Sequence, residues 1–352
     1  MLRRELLQSA IAWQTLTRPP KPEEAAIASA SEDTTPRVGI VLSSFAGSEE
    51  HDGSKLKGLA RPRPADSDLD DASLDAMVRK AIELGTTRKG GLPALVAPDD
   101  WVLILTHTPA CNGGVPGEVT DPRVVRSLTA FLAENKLGAR ITVAAGCGAP
   151  AYRKMAGDFT RRYPAVRFES TDLGSDEPVE LPVPGRPMAK RNAQGVYRIP
   201  KTVQQCDKIV SVAALTTHPR MGVSLAIGNY LGIAGGLDKL GEPDEVAADL
   251  FSYHPADYAL VGGEWGLETD ESGARRGVHH NLVLAGPNAV AVDAAGAAIM
   301  GFDPAGIGHL RLAEQSGFGD TTLDIIWLRG NEIEQARRPF RKPRGWRGAA
   351  EK

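Results

Sequence analysis

The sequence predicts an α/β fold with a mostly parallel sheet and flanking helices. Three segments, at residues 37–45, 101–108 and 139–146, are β-branched and apolar like buried strands, and segments with helical spacing separate them. Strands that alternate with helices are typical of a parallel sheet covered by helices. The 352 residues are about twice the length of a usual domain, which leaves room for two lobes around a cleft.

Composition and charge exclude several classes of protein. Hydrophobic residues make up 42% of the chain and charged residues 24%, as in an ordinary globular protein. The net charge of −3 argues against a nucleic-acid partner, because such binders are normally basic. No apolar run approaches the roughly 20 residues of a membrane span. Cys111, Cys147 and Cys206 form no CxxC pair, which excludes a ferredoxin-type iron–sulfur motif.

The first 36 residues do not resemble a folded core. Arg3 and Arg4, a short apolar segment and the small residues at 28–30 are similar to a twin-arginine export signal. The apolar segment is short and interrupted by glutamines, so an amphipathic N-terminal helix on a cytoplasmic protein is the alternative. We therefore expect a leader or a disordered segment over 1–36, and both a periplasmic and a cytoplasmic location are compatible with it.

Helix signals and an insertion follow in the first half of the chain. We expect a helix over 73–85 with a serine at its cap, and a second helix that begins at Thr120 or Asp121 with a proline in its first turn. The stretch over about 171–200 is rich in proline and glycine. It interrupts the alternating pattern and predicts a hairpin or an edge insertion.

The second half returns to the alternating pattern. Four apolar segments predict strands, the second of which leaves into a loop: 208–218, 257–268, 281–286 and 322–328. Three segments predict helices, the first of them glycine-rich: 222–233, 245–254 and 289–301. The α/β domain is thus expected over 37–335, and the arginine-rich segment at 336–352 is expected to be a solvated basic tail.

Ligands of parallel α/β sheets bind beyond the carboxyl ends of the strands, so polar residues there are the first candidates for a site. His218 ranks highest, because it follows a predicted strand and precedes a glycine. Thr217, Arg220 and Asn229 lie near it in the sequence. A histidine in this place acts as a general base, a metal ligand or a phosphate donor. The alternative is a histidine that bonds only to its own loop.

Three further strand ends carry polar residues. His107 and Cys111 follow the strand at 101–108 and have the spacing to bind a soft metal together. Asp121 begins a helix and is best explained as its cap. Glu264 and Glu268 emerge among glycines in an expected loop, where acidic side chains usually face solvent.

Asp293 stands out because its neighbours in the helical stretch are alanine and valine. An isolated buried carboxylate costs several kcal/mol or stays protonated, so Asp293 faces either solvent or a site. Its apolar flanks favour a site that it shares with His218. The alternative is a carboxylate that bonds nearby backbone amides and serves only stability. Of the adjacent His279 and His280, at most one faces a site.

Three segments in fixed order resemble one family. They are TDPRVVRSLTAFLAENK, TTHPRMGVSLAIGNYLGI and NLVLAGPNAVAVDAAGAAIMGFDP, and they resemble the domain of unknown function (DUF) 362 family over roughly 37–330. The resemblance implies an α/β fold and little about a reaction. Some members of the family carry ferredoxin-type modules, which this chain lacks. The residues that match recurrent polar positions of the family are Asp121, Thr217, His218, Gly222, Asn229, Glu268 and Asp293.

The chain also departs from the family pattern. Thr216 and Gly228 stand where the family usually has lysines, and His107 stands where an asparagine is customary. Gly262-Gly263 replaces the usual Asp-Gly. These changes remove charges of both signs, and the histidine suits a metal better than a phosphate.

We therefore expect a small-molecule enzyme or ligand-binding protein with a polar cleft at the carboxyl ends of the strands and a divalent metal as cofactor. The alternative is a non-catalytic accessory or carrier protein that works with a separate redox partner. Metal binding with turnover favours the enzyme, and ligand binding without turnover favours the carrier. The expected catalytic residues are His218, Asp293 and Glu268, the expected ligand-binding residues are Thr217, Asn229, Asp121 and Arg220, and the expected metal ligands are His107, His218 and Asp293.

Overall fold

The computed structural model describes most of the chain. The described residues are 35–50, 53–87, 90–106, 114–144, 149–182, 195–234, 240–270, 272–344, 346 and 348. The expectations for the leader up to residue 34, for His107, and for Cys111 and Cys147 lie outside them. Cys206 is a buried free thiol. No helix within these ranges is long and apolar enough to cross a membrane.

Helices and strands alternate along the chain. The strands are β1 (Arg37–Leu42), β2 (Gly47–Glu49), β3 (Lys55–Lys57), β4 (Trp101–Thr106), β5 (Arg140–Ala144), β6 (Arg167–Thr171), β7 (Pro178–Pro182), β8 (Val196–Pro200), β9 (Lys208–Ala213), β10 (Thr216–His218), β11 (Gly222–Ser224), β12 (Tyr258–Thr269), β13 (Arg275–Gly286) and β14 (Trp327–Gly330). The α-helices are α1 (Asp71–Leu84), α2 (Leu92–Leu95), α3 (Pro122–Glu134), α4 (Ala149–Arg162), α5 (Lys201–Gln205), α6 (Pro243–Tyr253), α7 (Ala289–Ile299), α8 (Gly308–Gln315) and α9 (Ile333–Ala336).

One ten-stranded sheet runs through the described residues in the order β14-β1-β13-β12-β9-β4-β5-β6, with β10 paired to β12 and β11 to β10. Strands β12, β9, β4, β5 and β6 are mutually parallel, whereas β13 is antiparallel to both β1 and β12. The predicted α/β fold with a mostly parallel sheet is confirmed. We call the side where β4, β5, β6 and β9 end, at Thr106, Ala144, Thr171 and Ala213, the carboxyl end of the sheet.

Two hydrophobic cores cover the two faces of this sheet. In β4, Leu103 and Leu105 belong to the core that includes α6 and α7, whereas Val102 and Ile104 belong to the core that includes α1 and α3. This split follows from the alternation of side chains along a strand. Both faces are buried, which explains why these strands are continuously apolar in the sequence.

The segment at 208–233 differs from its prediction. The expected single strand is interrupted after Ala213, and β10 then pairs with β12 further along, with Thr216 opposite Leu267. The expected glycine-rich helix is wrong. The hairpin of β10 and β11 turns over residues 219–221, Gly222 with a φ of +82° begins β11, and a short 3₁₀ helix follows over Gly228–Ile233.

Strand β12 continues where the sequence predicted a loop. It pairs with β13 as far as Thr269, with a β-bulge between Gly263 and Trp265. At Gly262 a Cβ atom would lie only 2.0 Å from the Leu282 carbonyl oxygen, so the glycines permit close approach of the two strands. The expected loop position of Glu264 and Glu268 is therefore wrong: both are buried within a paired strand.

Of the two N-terminal helix caps predicted from the sequence, one is confirmed and one is wrong. Asp121 caps α3 and Pro122 occupies its first turn, as expected. Helix α1 is capped by Asp70, which accepts the Ser73 N–H at 2.7 Å, and not by the serine itself. The insertion holds the antiparallel pair β7–β8.

The basic tail packs against the body rather than extending into solvent. The Ala336 carbonyl accepts the His280 Nε2–H at 2.8 Å, and Phe340 is buried. The ring of Trp346 packs edge-on against Phe302 at 5.1 Å. Apolar residues interspersed among the arginines explain this docking, which a charge-based prediction overlooks.

Candidate functional site

Two clusters of polar side chains stand out. The carboxyl-end cluster consists of Asp68, Asp121, Arg123, Glu264 and His279. The histidine–aspartate cluster consists of His218, Asp244, Asp293 and His309. Each contains acidic side chains and a histidine ring nitrogen that forms no hydrogen bond within the described residues, but the two differ in solvent access.

In the carboxyl-end cluster, three metal-ligating side chains converge. Ligand atoms of Asp68, Glu264 and His279 all lie within 4.8 Å of one another. Glu264 is buried, and its Oε1 lies 3.5 Å from His279 Nε2 and accepts the Leu69 N–H at 3.2 Å. Asp68 is exposed, so the group opens to solvent on one side.

Arg123 supplies the positive charge of this cluster. Its guanidinium pairs with Asp121 at 2.7 Å and with Glu264 through Oε2, and it donates to the Leu69 carbonyl at 2.6 Å. The hydrogen bond to Asp121 and the bond to Glu264 raise the pKa of Arg123 against the opposing effect of burial. Asp121 is thus both the cap of α3 and a counter-ion of Arg123.

His279 has a fixed ring and an unused nitrogen. The ring stacks on Trp265 with centroids 4.5 Å apart, and its side chain is 16% exposed. Within the described part of the chain, Nε2 is buried and has no hydrogen-bond partner. Since β13 begins at Arg275, His279 and His280 point to opposite faces of a strand, and only His279 joins the cluster. In the sequence, the adjacent histidines at 279 and 280 were the feature that pointed to this part of the cluster.

His218 lies at the end of β10, in the second cluster. Its Nδ1 accepts the N–H groups of Arg220 at 3.3 Å and of Met221 at 3.2 Å. These bonds place the proton of the neutral ring on Nε2. Burial, followed by the electrostatic effect of the nearby His309, lowers the pKa of His218 to about 4. At neutral pH His218 is therefore an uncharged hydrogen-bond donor.

Asp293 is fully buried in α7 and bonds to backbone. Its two carboxyl oxygens accept the N–H groups of Ala226 at 2.9 Å and Ile227 at 2.8 Å. Burial raises its pKa to about 7, although these bonds and the charge of His309 act in the opposite direction. Among the described residues no hydrogen bond or ion pair joins Asp293 to His218. Instead, His309 acts electrostatically on both side chains and lowers the pKa of each.

Sequence analysis missed His309 and its partner. His309 is fully buried, and its Nδ1–H donates to Asp244 Oδ1 at 2.8 Å. Its Nε2 has no hydrogen-bond partner within the described ranges. A Cβ at Gly308 would lie 2.5 Å from the Asp244 carboxyl carbon, so the glycine permits the contact. The sequence feature that pointed to this pair was a glycine directly before a histidine at the start of a helix.

The expected catalytic residue Glu268 lies apart from both clusters. It is 2% exposed, and it accepts bonds from the Arg276 side chain at 2.9 Å and from the Arg341 N–H at 2.8 Å. Thr217 Oγ1 accepts the Thr269 N–H at 2.7 Å. These contacts tie β10 and the C-terminal tail to β12.

Asn229 and Arg220 occupy different environments. The Asn229 amide donates to the carbonyls of Leu105 at 3.3 Å and Val212 at 3.1 Å, which brings it to the carboxyl ends of β4 and β9. Its Oδ1 is buried and has no hydrogen-bond partner in the described structure. Arg220 is exposed, and its guanidinium lies 3.7 Å from the Glu242 carboxylate.

Comparisons with solved structures include two distant matches. The chain is 15% identical to the lactate racemase apoprotein from Thermoanaerobacterium thermosaccharolyticum, with 67% of this chain and 58% of that chain covered and a TM-score of 0.34. It is 13% identical to a protein from Thermotoga maritima, with 70% and 58% covered and a TM-score of 0.32. The chain therefore spans less than two thirds of either protein's length.

A comparison with curated proteins gives no significant match. The model of one protein family, described as Domain of unknown function (DUF362), matches residues 102–298. The match includes β4, α3, the β10–β11 hairpin and α7 in the order that the sequence resemblance requires. It extends over more than half of the chain, and the protein belongs to the DUF362 family.

Proposed function

We propose that this protein is a metal-dependent small-molecule enzyme or ligand-binding protein, with Asp68, Glu264 and His279 as the ligands of a divalent ion. The observation that carries the proposal is the convergence of their ligand atoms within 4.8 Å. Support comes from their place near the carboxyl end of a parallel sheet, where α/β proteins bind ligands.

The spacing of the donors suits a metal. Metal–ligand bonds of about 2.1 Å at a tetrahedral angle separate two ligand atoms by about 3.4 Å, and Glu264 Oε1 lies 3.5 Å from His279 Nε2. One imidazole nitrogen with two carboxylates favours a first-row ion such as Mn²⁺ or Zn²⁺. Three protein ligands leave a coordination position for water or a substrate oxygen.

Surrounding contacts orient these donors. Arg123 holds Oε2 of Glu264, which leaves Oε1 directed at His279. Stacking on Trp265 fixes the ring of His279. Such contacts around the ligands hold the ligand atoms in position before the ion binds. His218 suits this role less well, because backbone N–H groups already occupy its Nδ1.

The simpler alternative is a structural ion-pair cluster, in which Arg123 and His279 balance the acidic side chains. The two explanations differ in the response to added metal. A structural cluster binds no ion and depends mainly on Arg123, whereas a metal site depends on Asp68, Glu264 and His279 together.

Equilibrium dialysis of the purified chain against Mn²⁺ or Zn²⁺, followed by elemental analysis, tests the proposal. We expect one ion per chain and a loss of affinity of at least about tenfold in each of D68N, E264Q and H279Q. D66N removes the same charge from the same loop and serves as the matched control. Unchanged binding in E264Q and H279Q would contradict the proposal.

The H218Q variant tests the alternative metal site predicted from the sequence. We expect it to bind metal like the parent. Loss of binding in H218Q but not in H279Q would favour the site with His218 and Asp293. Turnover by the metal-loaded protein favours an enzyme, and ligand binding without turnover favours the accessory or carrier alternative.

A further inference from the structure

A cavity lies between α3 and α4, and of its lining residues only Arg123 also belongs to the carboxyl-end cluster. Its volume is about 270 Å³, near the lower end of the range for small-molecule pockets. The α3 side presents Pro122, Arg126 and Ala130. They recur at every fourth position and so share one face of the helix.

The opposite wall is apolar and aromatic. Met155, Phe159 and Tyr163 line it, and they too recur at every fourth position. Met155 and Phe159 are buried, and the rings of Phe159 and Tyr163 lie 4.9 Å apart at an interplanar angle of 46°. This wall fits the flat face of a ring system.

Positive charge surrounds the cavity. Arg123, Arg126 and Arg162 line it, against one acidic residue, Asp158, and the Asp158 carboxylate is already paired with Arg161 outside the lining. The lining therefore carries an excess of positive charge, which favours an anion.

Two of these arginines are only weakly engaged. Arg126 pairs at 2.8 Å with Asp71, and both side chains are about half exposed or more. Arg162 lies 3.8 Å from Glu134. Exposed pairs of this kind contribute little stability, so a ligand acid group can replace the protein carboxylates at small cost. Arg123, in contrast, is fully committed to its own acidic neighbours.

We propose that this cavity binds a small anionic molecule with a flat apolar body. The ring system packs on Phe159 and Tyr163, and the acid group pairs with Arg126 and Arg162. A ring at one end and a carboxylate or phosphate at the other define the ligand class. The proposal does not depend on the metal site.

Binding of 2-naphthoate, measured by isothermal titration calorimetry in the presence of EDTA, tests the proposal. The neutral isostere 2-naphthalenemethanol is titrated in parallel. We expect saturable 1:1 binding of naphthoate, and binding about tenfold weaker for the alcohol, because a charge-assisted bond to arginine is lost.

Three variants localise the site. R126Q should weaken naphthoate binding about tenfold without changing the affinity for the alcohol. A130F should abolish binding of both, because the new ring fills the cavity. R198Q removes an exposed arginine of β8 that neither lines the cavity nor pairs with a residue that does, and it should bind like the parent. Circular dichroism confirms that each variant is folded.

Several results would overturn the proposal. They are no binding of naphthoate by the parent, equal binding of acid and alcohol, retained binding in A130F, or equal weakening in R126Q and R198Q. Because EDTA is present throughout, none of them bears on the Asp68–Glu264–His279 proposal.

Discussion

The carboxyl-end cluster and the histidine–aspartate cluster contain the same types of side chain, carboxylates and histidines, but they differ in solvent access. Asp68 is exposed beside the unpaired His279 Nε2, so a ligand can reach the first cluster. Asp293 and His309 are fully buried, and backbone N–H groups already satisfy Asp293. The contrast leads us to expect ligand binding only at the cluster that solvent reaches. The buried polar groups of the other cluster stabilise the core through hydrogen bonds.

The largest effect is expected from removing the buried carboxylate. D293A leaves the N–H groups of Ala226 and Ile227 without their acceptor, at a cost of about 1–3 kcal/mol each. We expect the free energy of unfolding in urea at pH 5 to fall by about 4 kcal/mol. D68A, at the exposed end of the other cluster, should change it by less than about 0.5 kcal/mol. Similar losses in both variants would remove the distinction between the clusters.

The pH dependence of stability tests the burial of Asp293 further. Burial raises the folded-state pKa of Asp293 to about 7, above its unfolded value of about 4. The folded protein therefore keeps this proton between pH 4 and 7 while the unfolded chain releases it. Stability relative to D293N should thus fall as pH rises, by about 2 kcal/mol from pH 4.5 to 6.5.

The difference between the two proteins is the quantity to measure, by urea titration at each pH. Groups that do not interact with Asp293 contribute equally to both proteins and cancel. A difference that stays constant from pH 4.5 to 6.5 would show that Asp293 is ionised in the folded protein throughout this range.

A smaller effect is expected from Glu268, which was predicted to be catalytic but lies in neither cluster. E268Q weakens the bonds to Arg276 and to the Arg341 N–H, and it should lower the free energy of unfolding by about 1–2 kcal/mol. It should also speed tryptic cleavage of the tail. E334Q, at an exposed pair with Arg337, is the control and should do neither. An E268Q variant of parental stability would refute this structural role.

Sequence patterns predicted the sheet, because a buried parallel strand is continuously apolar. In a helix, by contrast, apolar residues recur at intervals of three and four. They failed where tertiary pairing overrides local preference. The glycines at 262–263 indicated a loop, yet they permit a bulge that keeps β12 paired. The glycine-rich stretch at 222–233 forms β11, which pairs with β10, and a short 3₁₀ helix instead of the expected α-helix.

The site was harder to predict than the fold, because its members come from distant segments. His218 and Asp293 were singled out from the sequence as candidates, but a sequence cannot show that backbone amides already satisfy a carboxylate. His279 was considered and set aside, since it was expected to precede a strand. Asp68 lies in a loop of ordinary composition and gave no signal. Whether His218 and Asp293 act together stays a prediction that their variants can test.

The position of β1 has a consequence for biosynthesis. Gly39 pairs with Ala285 on one side, and Val38 pairs with Leu328 on the other. The ribosome therefore releases β1 long before either neighbour exists. Contacts this distant in sequence slow folding, because a long loop must close before they form. An apolar strand that waits unpaired is prone to aggregate, so we expect the nascent chain to need shielding of β1 until β13 and β14 have emerged.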